Sequence, residues 1–157
     1  MTTINLKSGD KASEFTSVDQ NGKPIKLSDY KGKKLILYFY PKDNTSGCTA
    51  EACSLRDGYE QLGNLGYEVV GVSPDSEKSH QNFIKKYELP FRLIADSDQT
   101  VASLYGVWAE KKMYGRSYMG ILRTTFLIDE KGVITHIISK VNTSDHVNQI
   151  LQIVEKT

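Results

Sequence analysis

Cys48 and Cys53 are the residues of this chain best suited to chemistry, and they are its only two cysteines. The thiolate of a cysteine is a nucleophile and a metal ligand, whereas a buried thiol behaves as a small apolar side chain. A structural disulfide is not expected in a reducing compartment. The pair is therefore interpreted as two inert thiols, a redox pair or half of a metal site, and the surrounding residues have to decide among the three.

Cys48 is predicted to stand at the start of a helix, on its inward side. Apolar residues follow it at helical spacing, at Ala52, Leu55, Tyr59 and Leu62. The free N–H groups and the partial positive charge of a helix N-terminus favour a thiolate over a thiol. This position is typical of reactive cysteines.

The elements that would hold this helix are predicted from periodicity and turn residues. Asn21-Gly22, between two semi-alternating stretches, indicates an N-terminal β-hairpin. Asp96-Ser97-Asp98 is interpreted as the cap of a short helix. The expected strands are 35–40, 67–73, 91–95, 124–128 and 133–139, and the expected helices are about 48–62, 76–87, 98–105 and 146–155.

This order of elements predicts an α/β fold. A βαβ unit followed by a further strand, a hairpin and a closing helix is typical of a thioredoxin-like sandwich, in which helices flank a central mixed β-sheet. The length of 157 residues suits a single domain spanning residues 1–157.

Composition and charge exclude several classes of partner. The formal net charge of +1 provides no field that would attract nucleic acid, and 39% apolar with 25% charged residues is ordinary for a globular protein. Residues 1–7 contain neither a basic leader nor an apolar core segment, and no apolar run approaches membrane-spanning length. We therefore expect no membrane partner and a cytoplasmic location.

The three histidines are weak candidates for chemistry. His80, His136 and His146 lie far from the cysteines in sequence and show no metal-ligand spacing. They are interpreted as surface or hydrogen-bonded histidines, so a zinc site that includes Cys48 and Cys53 is not expected, and no cofactor is predicted.

The residues before Cys48 carry a specific resemblance. Residues 41–48 read Pro-x-x-x-Thr-x-x-Cys, which resembles the active-site signature of the peroxiredoxins, and a second cysteine five positions later resembles the Q-type, or bacterioferritin comigratory, subgroup. The resemblance continues through residues 9–12, 105–108, 114–115, 118–120 and 123–129, and so covers nearly the whole chain. Ser13 departs from it, because the family usually has a proline there.

The resemblance implies a role for five residues. It assigns Cys48 as the peroxidatic cysteine, Thr45 as its hydroxyl partner, Pro41 as the wall that shields the site from water, Arg123 as the guanidinium beside the sulfur, and Cys53 as the resolving cysteine. Structural alternatives remain open at this stage. Thr45 could be a simple helix cap, Arg123 a surface residue before a strand, and Pro41 only the end of its strand.

Simple energetics explain why a cation would be needed beside such a thiol. Lowering the pKa of a cysteine from about 8.5 to about 6 takes on the order of 3.4 kcal/mol. A helix N-terminus supplies roughly 0.3–1 kcal/mol and at best about 2. Arg123 is the candidate for the rest, because it is permanently charged and its fork can hold a sulfur and an oxygen together.

The resemblance implies a thiol peroxidase that reduces hydrogen peroxide and organic hydroperoxides through a cysteine sulfenic acid and an intramolecular Cys48–Cys53 disulfide. It further implies recycling by thioredoxin or a glutaredoxin-like dithiol, and a monomer. Two other functions stay open. A thioredoxin-like disulfide oxidoreductase would require Cys-x-x-Cys, which four intervening residues argue against, and a binding or chaperone module would use the fold without chemistry.

The spacing of the two cysteines has a conformational consequence. Five residues along an intact helix place two Cα atoms roughly 8.7 Å apart and their side chains about 140° apart around the axis. A disulfide needs Cα atoms less than about 7 Å apart. We therefore expect local unwinding from about Cys48 to Arg56 before the disulfide closes, helped by Gly58 in the same predicted helix.

Overall fold

The computed structural model describes residues 6–155, so most of the N-terminal stretch that bears on a leader segment lies outside the described residues. The described chain forms nine strands and five α-helices. The strands are β1 Thr16–Val18, β2 Pro24–Lys26, β3 Lys34–Phe39, β4 Tyr67–Ser73, β5 Arg92–Ala95, β6 Trp108–Met113, β7 Arg116–Ile121, β8 Thr124–Ile128 and β9 Ile134–Ile138. The helices are α1 Ser46–Asp57, α2 Tyr59–Asn64, α3 Glu77–Tyr87, α4 Thr100–Leu104 and α5 His146–Glu155.

Five strands form one mixed sheet in the order β5-β4-β3-β8-β9. β3 pairs in parallel with β4, and β4 with β5, while β8 is antiparallel to both β3 and β9. Parallel neighbours need crossover connections, which the helices between them supply. The prediction of a central mixed sheet flanked by helices is confirmed.

β3 is the central strand of this sheet. Residues 35–40 are each no more than 1% exposed, as a continuous apolar run predicts for a strand covered on both faces. Alternate side chains of the strand enter two apolar clusters on opposite faces. The cluster that contains Ile36, Tyr38 and Tyr40 also contains Cys48, so the cysteine lies in the apolar core on that face of the sheet.

The N-terminal hairpin is also confirmed. β1 and β2 pair antiparallel around a turn in which Gly22 has a φ of 73°. The carboxylate of Asp19 accepts hydrogen bonds from the backbone N–H groups of Asn21 and Lys23, which fixes the turn. Asp96 likewise accepts from two backbone N–H groups at the start of α4, as its interpretation as a cap predicts.

A second hairpin, β6–β7, was missed by the sequence patterns. Tyr114 and Gly115 form its turn with positive φ values of 53° and 75°, the arrangement of a type I′ turn in which Asn-Gly is the usual signal. Lys111 and Lys112 lie on one of its strands, so apolar and polar residues do not alternate in a recognisable way.

The helix predicted from Cys48 through Leu62 is in fact two helices. α1 ends at Asp57, and Gly58 joins it to α2. A Cβ atom at position 58 would overlap the side chain of Val147 on α5, so a larger residue there would force one of the two helices or the valine to shift. The interpretation of Gly58 as a mid-helix residue was wrong, because α1 ends directly before it and α2 begins directly after it. No helix among residues 6–155 is long and apolar enough to cross a membrane.

Candidate active site

Cys48 is placed where the central strand passes into a helix. A six-residue loop, residues 40–45, leaves β3, and Cys48 is the third residue of α1. The first hydrogen bond of the helix runs from Thr49 N–H to the carbonyl of Thr45, so the N–H groups of Gly47 and Cys48 have no acceptor within the helix. Cys48 is only 1% exposed, which confirms its predicted position at the inward side of a helix start.

Arg123 reaches the sulfur from the short segment between β7 and β8. Its Nη2 donates to Cys48 Sγ at 3.3 Å, and its Nη1 donates to Glu51 Oε1 at 2.7 Å. Burial by itself would lower the pKa of Arg123, but the neighbouring Cys48 and Glu51 raise it above its ordinary value. The guanidinium is therefore a permanent cation beside the thiol.

Gly47 makes room for this guanidinium. A Cβ atom at position 47 would lie 3.3 Å from Arg123 Nη2, closer than nearly all real Cβ contacts. A larger residue would press on the nitrogen that faces Cys48. The glycine in the loop-to-helix junction thus serves the contact between the arginine and the sulfur.

Thr45 lies at the N-terminal boundary of α1 and is exposed. Its hydroxyl donates to the carbonyl of Lys42 at 2.8 Å and makes no capping hydrogen bond. Among the described residues, Cys48 Sγ receives its hydrogen bond from Arg123 and not from this hydroxyl. The threonine is close to Cys48 in sequence, but in this state its hydroxyl is used within the loop.

Pro41 and Cys53 flank the site on either side in sequence. Pro41 is half-buried in the loop directly after β3, where a residue without an N–H cannot continue the strand ladder. Cys53 is half-buried, and it lies on the same continuous helix as Cys48. Both thiols are free. An unbroken α1 keeps the two sulfur atoms from bonding, as the helix geometry predicts.

Glu51 is part of the site although the sequence patterns did not single it out. Its side chain is fully buried, and burial raises its pKa to about 7 even though Arg123 opposes the shift. The available signal was its spacing, since a residue three positions after Cys48 lies on the same face of a helix. A buried carboxyl group therefore shares Arg123 with the thiol.

His146, the first residue of α5, completes the buried group. Its Nε2 lies 3.5 Å from Glu51 Oε2 and 2.8 Å from Thr125 Oγ1. Burial lowers the pKa of His146 to about 4, which a hydrogen bond to Gln149 partly opposes and Arg123 reinforces. Its interpretation as a hydrogen-bonded histidine is correct, but no sequence signal placed it beside Arg123.

A second buried network holds the loop before Cys48. Asp43 accepts hydrogen bonds from the hydroxyls of Tyr40 and Ser79 at 2.7 and 2.8 Å, and it lies 2.7 Å from Nδ1 of His80. The backbone N–H of Asp43 donates to Asp75 at 2.8 Å. Two side chains of α3 thus help to fix the loop.

Three residues of this network have the chemistry of metal ligands. One ligand atom from each of Asp43, Asp75 and His80 lies within 4.8 Å of the others, and this is the one such group among residues 6–155. The other ring nitrogen of His80 bonds the carbonyl of Ile94 at 2.8 Å. Because hydrogen bonds already use these groups, the arrangement suits a structural role for the loop.

Comparison with protein families gives a match over most of the chain. Residues 8–137 match the AhpC/TSA family. "Putative peroxiredoxin bcp" of Coxiella burnetii is 50% identical over 148 residues, which cover 94% of this chain and 98% of the relative. "Peroxiredoxin Bcp" of Bacillus subtilis is 46% identical over 149 residues, 95% of each chain.

Solved structures of similar proteins have the same fold. A mutant of Xylella fastidiosa PrxQ superimposes with a TM-score of 0.90 at 33% identity, covering 97% of each chain. Xanthomonas campestris bacterioferritin comigratory protein, whose structures concern alkyl peroxide reduction, superimposes with a TM-score of 0.85 at 33% identity over 90% of each chain. The predicted thioredoxin-like fold is confirmed.

Proposed function

This chain belongs to the AhpC/TSA family as a peroxiredoxin of the Bcp or Q type and is a thiol-dependent peroxidase, and we propose that Cys48 is the thiol that attacks the hydroperoxide. The thiolate sulfur bonds one peroxide oxygen while the O–O bond breaks. The products are the sulfenic acid of Cys48 and an alkoxide, which takes up a proton and leaves as an alcohol. With hydrogen peroxide as the substrate, water leaves instead.

The observation that carries this assignment is the 3.3 Å contact between Arg123 Nη2 and Cys48 Sγ. Cys53, the other cysteine, has no hydrogen-bonded cation of this kind among the described residues. A cation and a helix N-terminus both favour the thiolate form of Cys48. They support Cys48, and not Cys53, as the attacking thiol.

Arg123 would also act in the transition state. Complete ionisation of an ordinary thiol gains at most about 30-fold in the reactive form at neutral pH. A peroxidase needs more, and the larger gain comes from groups that stabilise negative charge on the leaving oxygen as the O–O bond stretches. The donors near Cys48 Sγ are Arg123, the free N–H groups at Gly47 and Cys48, and the Thr45 hydroxyl once it leaves the Lys42 carbonyl.

Pro41 would shield the sulfur. It lies at the end of the central strand, at the start of the loop that leads to Cys48, and it is half-buried. A side chain without polar atoms at this position keeps water from the sulfenic acid and lowers the local dielectric, which strengthens the hydrogen bonds of Arg123.

Cys53 would resolve the sulfenic acid. Its sulfur attacks the Cys48 sulfur, water leaves, and a Cys48–Cys53 disulfide forms. Because α1 is intact in the reduced protein, this step requires the helix to unwind. Two contacts hold its second half, one from Val147 N–H to Ser54 Oγ at 3.0 Å and one from Arg56 Nη1 to the Tyr87 carbonyl at 2.9 Å. Both would break on unwinding.

An external dithiol would then reduce the disulfide. Recycling by thioredoxin is typical of this family, so thioredoxin or a glutaredoxin-like protein is the proposed reductant. The alkyl peroxide reduction activity of the Xanthomonas campestris protein supports alkyl hydroperoxides as substrates here too. We further propose that the chain acts as a cytoplasmic monomer with residues 1–157 in one domain.

Peroxide consumption by the purified protein tests this function. With an alkyl hydroperoxide and a thioredoxin system, consumption should continue over many turnovers, and without a reductant it should stop after one equivalent of peroxide. A disulfide oxidoreductase would oxidise or reduce a dithiol substrate without consuming peroxide. A binding module would neither consume peroxide nor change the redox state of a dithiol. The proposal would be overturned if the protein showed the behaviour of either alternative.

A further inference from the structure

Glu51 directs its two carboxyl oxygens at different neighbours. Oε1 accepts a hydrogen bond from Arg123 Nη1 at 2.7 Å. Oε2 lies 3.5 Å from His146 Nε2 and has no hydrogen-bond partner among residues 6–155. The side chains of Glu51 and His146 are both 0% exposed. A buried carboxylate oxygen without a donor is strongly disfavoured, so Oε2 needs a physical explanation.

The hydrogen bonds of His146 determine which ring nitrogen carries its proton. Nδ1 lies 2.8 Å from Oε1 of Gln149. That oxygen also accepts from the backbone N–H of Asn142, and the amide nitrogen of Gln149 donates to the carbonyl of Lys140. The orientation of the Gln149 amide is thus fixed from both sides. Nδ1 therefore faces an acceptor and must donate.

Nε2 of His146 is consequently an acceptor. The lowered pKa of His146, about 4, leaves the ring neutral near neutral pH, so only Nδ1 is protonated. The hydroxyl of Thr125, 2.8 Å away, donates to Nε2. Nε2 thus has no proton to donate to Glu51 Oε2, and its lone pair is already used by Thr125.

A ring nitrogen without a proton in this position favours the protonated form of Glu51. An ionised carboxylate would leave a negatively charged oxygen buried without a donor, beside the electron-rich edge of the His146 ring, which is unfavourable. A proton on Oε2 removes that charge, while Oε1 still accepts from Arg123. Burial acts in the same direction, since it raises the pKa of Glu51 to about 7 against the opposing effect of Arg123.

The charged and titratable groups around Glu51 are few. Cys48 shares its helix, and Arg123 and His146 come from the segment before β8 and from α5. Tyr38 faces it from β3, and its hydroxyl stays neutral because burial raises its pKa well above the ordinary value. Arg123 is the one cation bonded to Glu51 or Cys48 in the described part of the chain.

We propose that His146 keeps Glu51 protonated, so that the positive charge of Arg123 is available to the Cys48 thiolate alone. Two acids that share one cation lose their protons in two coupled steps, and the neighbours decide which acid ionises first. His146 makes Cys48 the first to ionise. It acts through Glu51 and Arg123 without touching the peroxide, so it is a positioning residue. The inference rests on the proposed role of Cys48.

The test measures the ionisation of Cys48 in a Cys53→Ser background, where iodoacetamide reacts with a single thiol. The rate of alkylation against pH gives a midpoint for the thiolate. His146→Gln places an amide that can donate near Oε2, which stabilises ionised Glu51. We expect the midpoint for this variant to lie about one pH unit above that of the Cys53→Ser background. At a pH below both midpoints, this shift is a tenfold loss of thiolate. His136→Gln, on the partly exposed β9 surface, should leave the midpoint unchanged.

Adding Glu51→Gln to His146→Gln should return the midpoint to that of Glu51→Gln alone, because the competing acid is gone. An unchanged midpoint in His146→Gln would overturn the inference. So would a shift that persists in the double variant, since His146 would then not act through Glu51. Alkylation involves no peroxide, so the two failures can be told apart. A protein that shows these shifts but does not consume peroxide would contradict the proposed function, whereas a protein that consumes peroxide without these shifts would contradict only the role of His146.

If His146→Gln fails to fold, infrared spectroscopy gives the answer without changing His146. The difference spectrum between the parent protein and Glu51→Gln, taken at the pH where half of Cys48 is ionised, should contain the C=O band of a protonated carboxyl group. Carboxylate bands in its place would overturn the inference.

Discussion

Nη2 of Arg123 lies 3.3 Å from Sγ of Cys48, although 75 residues separate them in sequence. The same guanidinium donates through Nη1 to Glu51. One cation therefore serves two acids, and the chemistry of the site depends on how its charge is divided between them. Arg123 directly precedes β8, which pairs with the central strand, so the fold and the reactivity of Cys48 are linked.

Arg123→Met removes this charge at similar bulk. We expect peroxide to react with Cys48 more than 30-fold more slowly, because ionisation explains at most about that factor and the leaving oxygen also loses a donor. Stopped-flow kinetics at a pH where the variant thiol is fully ionised should still show a deficit. Arg116→Met, at an exposed position on β7, is the control. Full recovery at that pH would confine Arg123 to forming the thiolate.

Asp43→Ala tests the network that holds the loop before Cys48. His80 would be left buried without its carboxylate, and the hydroxyls of Tyr40 and Ser79 would lose their acceptor. Removing one partner of a buried pair typically destabilises by about 3–5 kcal/mol. Urea unfolding should show a loss of that order. Asp57→Ala, which breaks an exposed pair with Arg56, should lose less than about 1 kcal/mol. Equal losses would mean that the loop network contributes little.

Glu51 and His146 should have opposite effects on stability as pH changes. The pKa of His146 falls from 6.5 to about 4 on folding, so the unfolded ring binds more protons in that window and stability rises with pH. The pKa of Glu51 rises from 4.5 to about 7, so the folded carboxyl group keeps a proton that the unfolded one has lost, and stability falls as pH rises. Between pH 4.5 and 6.5 the two slopes oppose each other.

Glu51→Gln removes the negative slope. As pH rises across that window, the free energy of unfolding of Glu51→Gln should increase relative to that of the parent protein, by up to about 1.4 kcal/mol for each pH unit. Urea unfolding at a series of pH values measures the difference. Glu60→Gln, an exposed glutamate on α2, should follow the parent curve. Parallel curves for Glu51→Gln and the parent protein would mean that Glu51 does not keep its proton on folding.

Amide hydrogen exchange should locate the conformational change that accompanies oxidation. Because the intact helix keeps Cys48 and Cys53 apart, protection of residues 48–56 should drop in the disulfide form. The amides of β5, an edge strand of the sheet that carries no cysteine, serve as the internal control and should be unchanged. If protection in α1 were the same in both redox states, with the disulfide verified by mass, unwinding would not be part of the reaction.

The fold could be predicted where one sequence pattern dominates. The continuous apolar run of β3 predicts a strand that is buried on both faces. The spacing of apolar residues after Cys48 predicts a helix that is buried along one face and begins near that cysteine. The break at Gly58 could not be predicted, since it depends on contact with Val147 from the last helix. Glu51 and His146 meet for the same reason, through packing between segments distant in sequence.

The identity of the thiol that peroxide oxidises is the most direct test of the account. One equivalent of an alkyl hydroperoxide is added to each reduced protein, followed by dimedone to trap a sulfenic acid and by mass spectrometry of the intact chain and its peptides. In Cys53→Ser, the dimedone adduct should lie on Cys48. In Cys48→Ser, the remaining thiol of Cys53 should stay unmodified. The parent protein should lose both thiols in an intramolecular disulfide. An adduct on Cys53 in Cys48→Ser, together with an unreacted Cys48 in Cys53→Ser, would contradict the account.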